Sequence, residues 1–237
     1  MATSDSHALE APGFVPHMTV PDTLEHRARI AQRMAVIVEN VEARMAPLAG
    51  LSRATEARMM AQAAQASTVT QRVHWLWRAA DAGTQAATKI AACRQGCTHC
   101  CHQSVVVSKA EAQVIAKATG ATLNTQAGQY GNETEDLQAA RVALRDRFIG
   151  VPCVFLKSGS CSIYAHRPLV CRWHLNMDAD DLLCQIVDGG EAPVVPYLNM
   201  SQQEMHAVRV LGLHQSFDDI REWFKAPVTK DGSHERN

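Results

Sequence analysis

Apolar residues recur at steps of three and four through Ile30, Met34, Ile37, Val38, Val41 and Met45. That repeat lines one face of a helix, so it predicts a helix from Thr23 to about Met45. Asp22 is read as its N-cap, with Glu25 completing a capping box. Pro47 and Gly50 stop it. The stripe, methionines included, is expected to be core. The Ala-rich stretch 52–66 predicts a second helix. A third is expected to open near the polar run 67–70 and to carry Val73, Leu76, Trp77 and Ala80 on its apolar face. It is expected to break at Gly83, with a last helical stretch reaching Ala92. The first ninety residues thus read as a helical hairpin or three-helix unit.

Beyond residue 103 the pattern changes. Residues 104–107 are a short β-prone run, and Ser108 with Glu111 forms a capping box opening a helix that ends near Gly120. Residues 120–132 read as loop. Residues 133–148 predict a helix anchored by Leu137, Val142, Leu144 and Phe148. In 151–164 two short strands flank a turn at 157–160. Pro168 suits the first turn of a short helix carrying Cys171. A last helix is expected over 201–224. The fold class expected is mainly α (α+β), with short strands near the cysteines. Five segments are expected: a flexible tail over 1–21, a helical unit over 22–92, a cysteine-cluster domain over 93–190, a helical extension over 191–226 and a second tail over 227–237.

Composition narrows the function classes. The chain has 237 residues, with 23 Lys+Arg against 24 Asp+Glu. That balance lacks the basic excess of a nucleic-acid-coating protein, so no nucleic acid is expected as a partner. No stretch approaches the roughly 20 apolar residues of a membrane span. The N-terminal stretch is polar and interrupted by Pro12, Pro16 and Pro21, without the basic start and apolar run of a secretory signal. The expectation is a reducing cytoplasm, where eight cysteines imply metal ligation or thiol chemistry rather than disulfides.

The cysteines are clustered. Cys93, Cys97, Cys100 and Cys101 fall within nine residues. Cys153, Cys161 and Cys171 follow, and then Cys184. A metal needs thiolates converging within about 2.3 Å of one centre, and loops of two or three residues present neighbouring sulfurs to one ion. Gly96 supplies a backbone that such a loop can use. Cys100 and Cys101, being adjacent, do not readily point the same way, so they are read as split between two centres or as one ligand and one spare. All eight cysteines are candidate metal ligands, with His99, His102, His166 and His174 as substitutes in a zinc site. Zinc and an iron–sulfur cluster, [4Fe–4S] included, both suit such thiolates, and the spacing does not separate them. Arg94, Arg167 and Arg172 lie beside candidate ligands, where cations offset thiolate charge or pair with acids elsewhere. Tyr164 and Trp173 are read as packing around the site.

The pattern C-x₃-C-x₂-C-C at Cys93–Cys101, then Cys153, then C-x-I-Y-x-x-R-P-x-x-C-R at Cys161–Arg172, resembles the YkgJ-type cysteine-cluster family, described as a zinc- or iron-chelating domain. Cys184 stands where the family has a further cysteine. The resemblance implies that the cysteines are ligands. It does not imply a reaction, although some relatives look like flagellin lysine N-methylases using S-adenosylmethionine.

Three functions compete on this reading. The first is a binding module with a structural metal, whose N-terminal helices recognise a partner protein. The second is an iron–sulfur enzyme or redox protein acting on a protein or small molecule, in which Cys101 or Cys184 is a free reactive thiol. Cys93-x₃-Cys97-x₂-Cys100 has the spacing of radical S-adenosylmethionine enzymes, but a helix precedes it and no βα alternation follows. No glycine-rich cofactor loop, P-loop or H-E-x-x-H is present. The third is metal buffering or delivery. Catalytic residues are not assigned.

Overall fold

In the computed structural model, residues 19–94, 96–128, 130–131, 137–189, 194–212 and 215–224 are described. They are mainly α with a little β, as the periodicities imply. The chain enters through β1 (Thr19–Val20), at the end of the segment expected to be a tail. Two helices follow where one was expected, α1 (Leu24–Ala35) and α2 (Ile37–Met45). They part at Val36, whose φ of −120° and ψ of 7° lie outside the helical range. Thr23, rather than Asp22, caps α1 by accepting the His26 N–H at 3.1 Å. Asp22 is paired with Arg27 instead.

The predicted stripe on these helices joins the core only at its end, where Val41 and Met45 pack against the small cluster of Ala87, Leu175 and Met177. Met34 and Val38 are exposed, Val38 to 68 %. Ile30, Ile37, Val41 and Met45 are half-buried. The break at Val36 interrupts the stripe, and only its α2 end finds an apolar partner. Charge attaches α1 instead: Arg33 reaches Asp178 at 2.6 Å and Asp180 at 2.8 Å.

The centre is built differently. α3 (Ala54–Gln65) packs on α4 (Val69–Thr88). Thr68 and Gln71 form a full capping box at the start of α4. Val73, Leu76, Trp77 and Ala80 are all buried, as their spacing predicts. Each large apolar side chain buried this way contributes roughly 1.5–3 kcal/mol. Gly83 does not break α4. A Cβ there would stand 2.6 Å from the carboxylate of Glu56, so the glycine makes room for that buried group on α3. Arg53 neutralises Glu56 at 2.5 Å.

β2 (Val106–Ser108) leads into α5 (Lys109–Thr119), which Ser108 caps and which ends at Gly120 with φ of +71°. The expected loop after it contains a short strand, β3 (Tyr130–Gly131). α6 (Leu137–Phe148) buries Leu144 and Phe148. The start expected for it, 133–136, lies outside the described residues. β4 (Leu156–Lys157) and β5 (Ser160–Cys161) form the predicted hairpin. Its tip, Ser158 and Gly159, takes φ of +47° and +71°, as a two-residue turn of this type requires. α7 (Leu169–Trp173) starts after Pro168 and carries Cys171. β6 (Ile186–Val187) receives β1 in parallel.

The expected helix over 201–224 is three elements: α8 (Ser201–Leu211), β7 (Ser216–Asp219) and α9 (Ile220–Trp223). Gly212, at φ of +106°, ends α8. β7 then becomes the middle strand of an antiparallel sheet in the order β2–β7–β3. Asp219 opposes Val106 and Phe217 opposes Tyr130. Ile220 and Trp223 of α9, with Phe224 just after it, reach the core, so the end of the expected helix is present while β7 replaces its middle. The tail expected from 227 lies outside the described residues.

One hydrophobic core runs through α3, α4, α5, α7, α8 and α9, and Cys153, Cys161 and Cys171 pack at its border. A second, smaller cluster of Ala87, Leu175 and Met177 takes Cys93. Among the described residues no helix is long and apolar enough to cross a membrane.

Candidate metal centre

The eight cysteines lie on short, irregular segments. Cys93 and Cys97 sit on the loop after α4, with Gly96 between them at φ of +84°. Cys100 and Cys101 lie in a short 3₁₀ turn, His99–His102. Cys153 precedes the β4–β5 hairpin and Cys161 ends it. Cys184 closes another 3₁₀ turn, Leu182–Cys184. All eight are free thiols, and only Cys184 is fully buried.

Backbone hydrogen bonds bring these segments together. The Cys153 N–H donates to the Cys101 carbonyl at 2.7 Å, and the Gly150 N–H donates to the His102 carbonyl at 2.7 Å. The loops bearing Cys101 and Cys153 are therefore laced side by side. In the hairpin, the Ser162 N–H donates to the Phe155 carbonyl at 2.8 Å, which folds Cys161 back toward Cys153.

Asn176 links the other sulfurs. It is 1 % exposed. Its backbone N–H donates to Cys93 Sγ at 3.4 Å, and its side-chain amide donates to Cys184 Sγ at 3.1 Å. Its carbonyl accepts the Ala92 N–H at 2.9 Å. One buried residue thus holds both sulfurs and the backbone beside Cys93.

Three further sulfurs accept hydrogen bonds from the backbone two residues on: Cys97 from His99, Cys153 from Phe155 and Cys161 from Ile163. Such donors stabilise a thiolate over a thiol. Burial works the other way. It raises Cys153 to about 11 and Cys184 to about 12, with neighbouring thiols adding to the rise. Cys171 is pushed up by burial and then by Cys100, Cys153 and Cys161. Cys100 is held down by its hydrogen bond with Cys101, and the same bond holds Cys101 up. Like-charge repulsion opposes ionising these thiols together, and a bound cation removes that opposition.

Cations lie nearby. Arg167 favours the thiolate at Cys100, Cys161 and Cys171, Arg94 does so at Cys97 and Arg221 at Cys153. Arg167 also stacks over the Tyr164 ring at 4.1 Å. Tyr164 itself is exposed, contrary to the packing role expected for it, while Trp173 is buried as expected. Arg172 takes the ion-pairing alternative, meeting Asp81 at 2.5 Å and donating to the carbonyls of Arg167 and Ala165.

The histidines are occupied otherwise. His99 Nε2 lies 3.1 Å from Asp181, and His102 Nδ1 lies 3.1 Å from the Thr98 carbonyl. His166 leans on Trp77. His174 stacks on Tyr197, and burial lowers it to about 4, so its ring is neutral. Among the described residues, no three Cys, His, Asp or Glu side chains close on one point as a finished cage. The donor set nevertheless fits a soft divalent metal: thiols from separate loops, amide donors on the sulfurs and guanidinium charge beside them.

Two contributors were not legible beforehand, Asn176 and Arg221. Arg221 is 5 % exposed. Its guanidinium donates to the carbonyls of Cys101 and Gln103 at 3.0 Å, Val151 at 2.6 Å and Pro152 at 3.2 Å. Asp219, wholly buried, pairs with it at 2.9 Å and accepts the Val105 N–H at 2.7 Å. This ion pair fixes the spacing of the Cys101 and Cys153 loops. The only sequence signal is an acidic pair and an arginine within an otherwise apolar stretch.

No curated protein and no solved structure matches the chain. Residues 92–189 match the family model CxxCxxCC, whose description is "Putative zinc- or iron-chelating domain". That span holds all eight cysteines, so this part of the chain is similar to a zinc- or iron-chelating domain of that family.

Proposed function

We propose that the protein binds zinc or iron through thiolates of Cys93, Cys97, Cys100, Cys101, Cys153, Cys161, Cys171 and Cys184, and that the metal staples the cysteine loops to the helical core. The observation that carries this reading is the set of N–H donors on sulfur, since four sulfurs from three loops accept backbone hydrogen bonds. Such donors compensate thiolate charge at metal centres. When bound, the metal replaces the protons that burial keeps on these thiols, so binding releases protons and strengthens with pH.

A structural role accounts for the surroundings. Two open depressions of about 250 and 290 Å³ lie beside α1 and α2, and no cysteine lines either. The cysteine loops contain little regular structure to hold them by themselves. A metal joining them contributes folding free energy directly.

Metal analysis with an absorbance spectrum tests this on the full chain, purified without oxygen and without an affinity metal. Zinc in whole-number ratio, colourless, supports the structural reading. Iron with sulfide and absorbance near roughly 400 nm keeps chelation but makes the centre a cluster suited to electron transfer. A reduced chain that takes up neither metal overturns the proposal.

A further inference from the structure

We infer that the eight thiols form two separate metal sites, which meet between Cys100 and Cys101. This rests on the metal-binding reading above and goes beyond it in number and assignment. The first site is Cys93, Cys97, Cys100 and Cys184. The second is Cys101, Cys153, Cys161 and Cys171.

Separate scaffolds carry the two sets. Asn176 joins Cys93 to Cys184 by donating to both sulfurs. Cys93 borders the small cluster of Ala87, Leu175 and Met177. In the second set, Cys101 is laced to Cys153 through a 2.7 Å backbone bond, and the hairpin returns Cys161 toward Cys153. Cys153, Cys161 and Cys171 border the main core rather than the small cluster. Arg221 clamps the carbonyls on the Cys101 and Cys153 loops and makes no hydrogen bond with the Asn176 side.

Cys100 and Cys101 stand where the sets adjoin. Their thiols are hydrogen-bonded to each other. Cys100 lies within reach of sulfurs on both sides, Cys93, Cys97 and Cys184 on one and Cys161 and Cys171 on the other, while Cys101 feels Cys153 and Cys171. The pair therefore stands at the junction, and the backbone bond to Cys153 places Cys101 with the second set. Neighbouring residues in a tight turn do not readily direct both Cβ bonds to one ion. One of the pair serves each side, and four thiolates complete each site.

The test is titration of zinc into the reduced, metal-free full chain, read as zinc retained per chain after gel filtration. The expected result is about two zinc ions for the parent chain, and about one for each of Cys184→Ser and Cys153→Ser. The double variant is expected to retain none. The parent stoichiometry stands by itself if a variant fails to fold. About one zinc in the parent chain overturns the division while leaving metal binding intact. Loss of all zinc from either single variant, with circular dichroism unchanged, overturns it too. A parent chain that retains no zinc or iron defeats the metal-binding reading itself.

Discussion

The α3–α4 pair and the loops of Cys153, Cys161 and Cys171 share the main core, yet different forces order the helices and the cysteine loops. α3 and α4 are long, capped and packed through Met60, Ala63, Val73, Leu76 and Trp77. Their order comes from apolar burial, which needs no partner beyond the chain. The cysteine loops have 3₁₀ turns and two-residue strands, and their fixed points are polar: Asn176 on two sulfurs, Arg221 on four carbonyls, and N–H groups on thiols. Polar fixing of this sort gives precise spacing and little net stability, because each bond replaces one to water. The helices therefore supply stability, and the loops supply geometry that a metal completes.

The largest effect expected is from removing the metal. Structural zinc sites in small domains contribute about 10–16 kcal/mol of apparent binding free energy. A strong chelator under reducing conditions is expected to open residues 93–102 and 150–188 to limited proteolysis while most helical circular dichroism remains. Loss of the whole helical signal would erase the distinction between the two regions. Next is Arg221→Met, which leaves Asp219 buried without its partner, a change that costs about 3–5 kcal/mol. It should lower thermal stability and speed metal loss to a competing chelator. Arg221→Lys should recover the charge and not the multiple carbonyl contacts. Leu76→Ala, by contrast, should cost about 3 kcal/mol of stability and leave the metal content of the folded chain unchanged.

Alkaline pH separates the regions more finely. Cys153 is raised to about 11 and Cys184 to about 12. An unfolded cysteine ionises near about 8.5, so above that pH the unfolded chain releases protons that the folded metal-free chain retains. Stability from these thiols is complete below about 8.5 and is lost as pH rises toward the folded values, by about 3 kcal/mol for one such group. Thermal melts of the metal-free chain between pH 8 and roughly 11 should fall in midpoint, and those of the metal-bound chain should fall less. A metal-free midpoint that stays level would mean the thiols are not buried as described. The smallest effect expected is Thr68→Ala, about 1 kcal/mol, confined to the start of α4 and without effect on metal retention.

What could be read beforehand was local. The helix start near 67–70, the cap at Ser108, the hairpin turn within 157–160 and the grouping of thiols each involve residues a few positions apart. What could not be read depends on distant partners. Gly83 has the composition of a helix breaker, and only Glu56 on the neighbouring helix explains its place. The stripe on α1 and α2 has helical spacing throughout, yet it breaks at Val36, Asp178 holds Arg33, and only Val41 and Met45 at its end pack against a core cluster. Ile220 and Phe224 have helical spacing too, although β7 precedes them in place of a helical turn. Arg221 acts on Cys101 from 120 residues away, a distance that no periodicity spans.

Arg221 and β7 also bear on where the recurring unit ends. The span shared with the family stops at residue 189 and includes every sulfur. A polypeptide cut there would keep its ligands but lose the guanidinium that gathers the carbonyls of Cys101, Gln103, Val151 and Pro152, together with the strand between β2 and β3. A graft of the cysteine segment into another host would therefore need a substitute for that clamp. The piece that recurs between chains is shorter than the piece that can be transplanted.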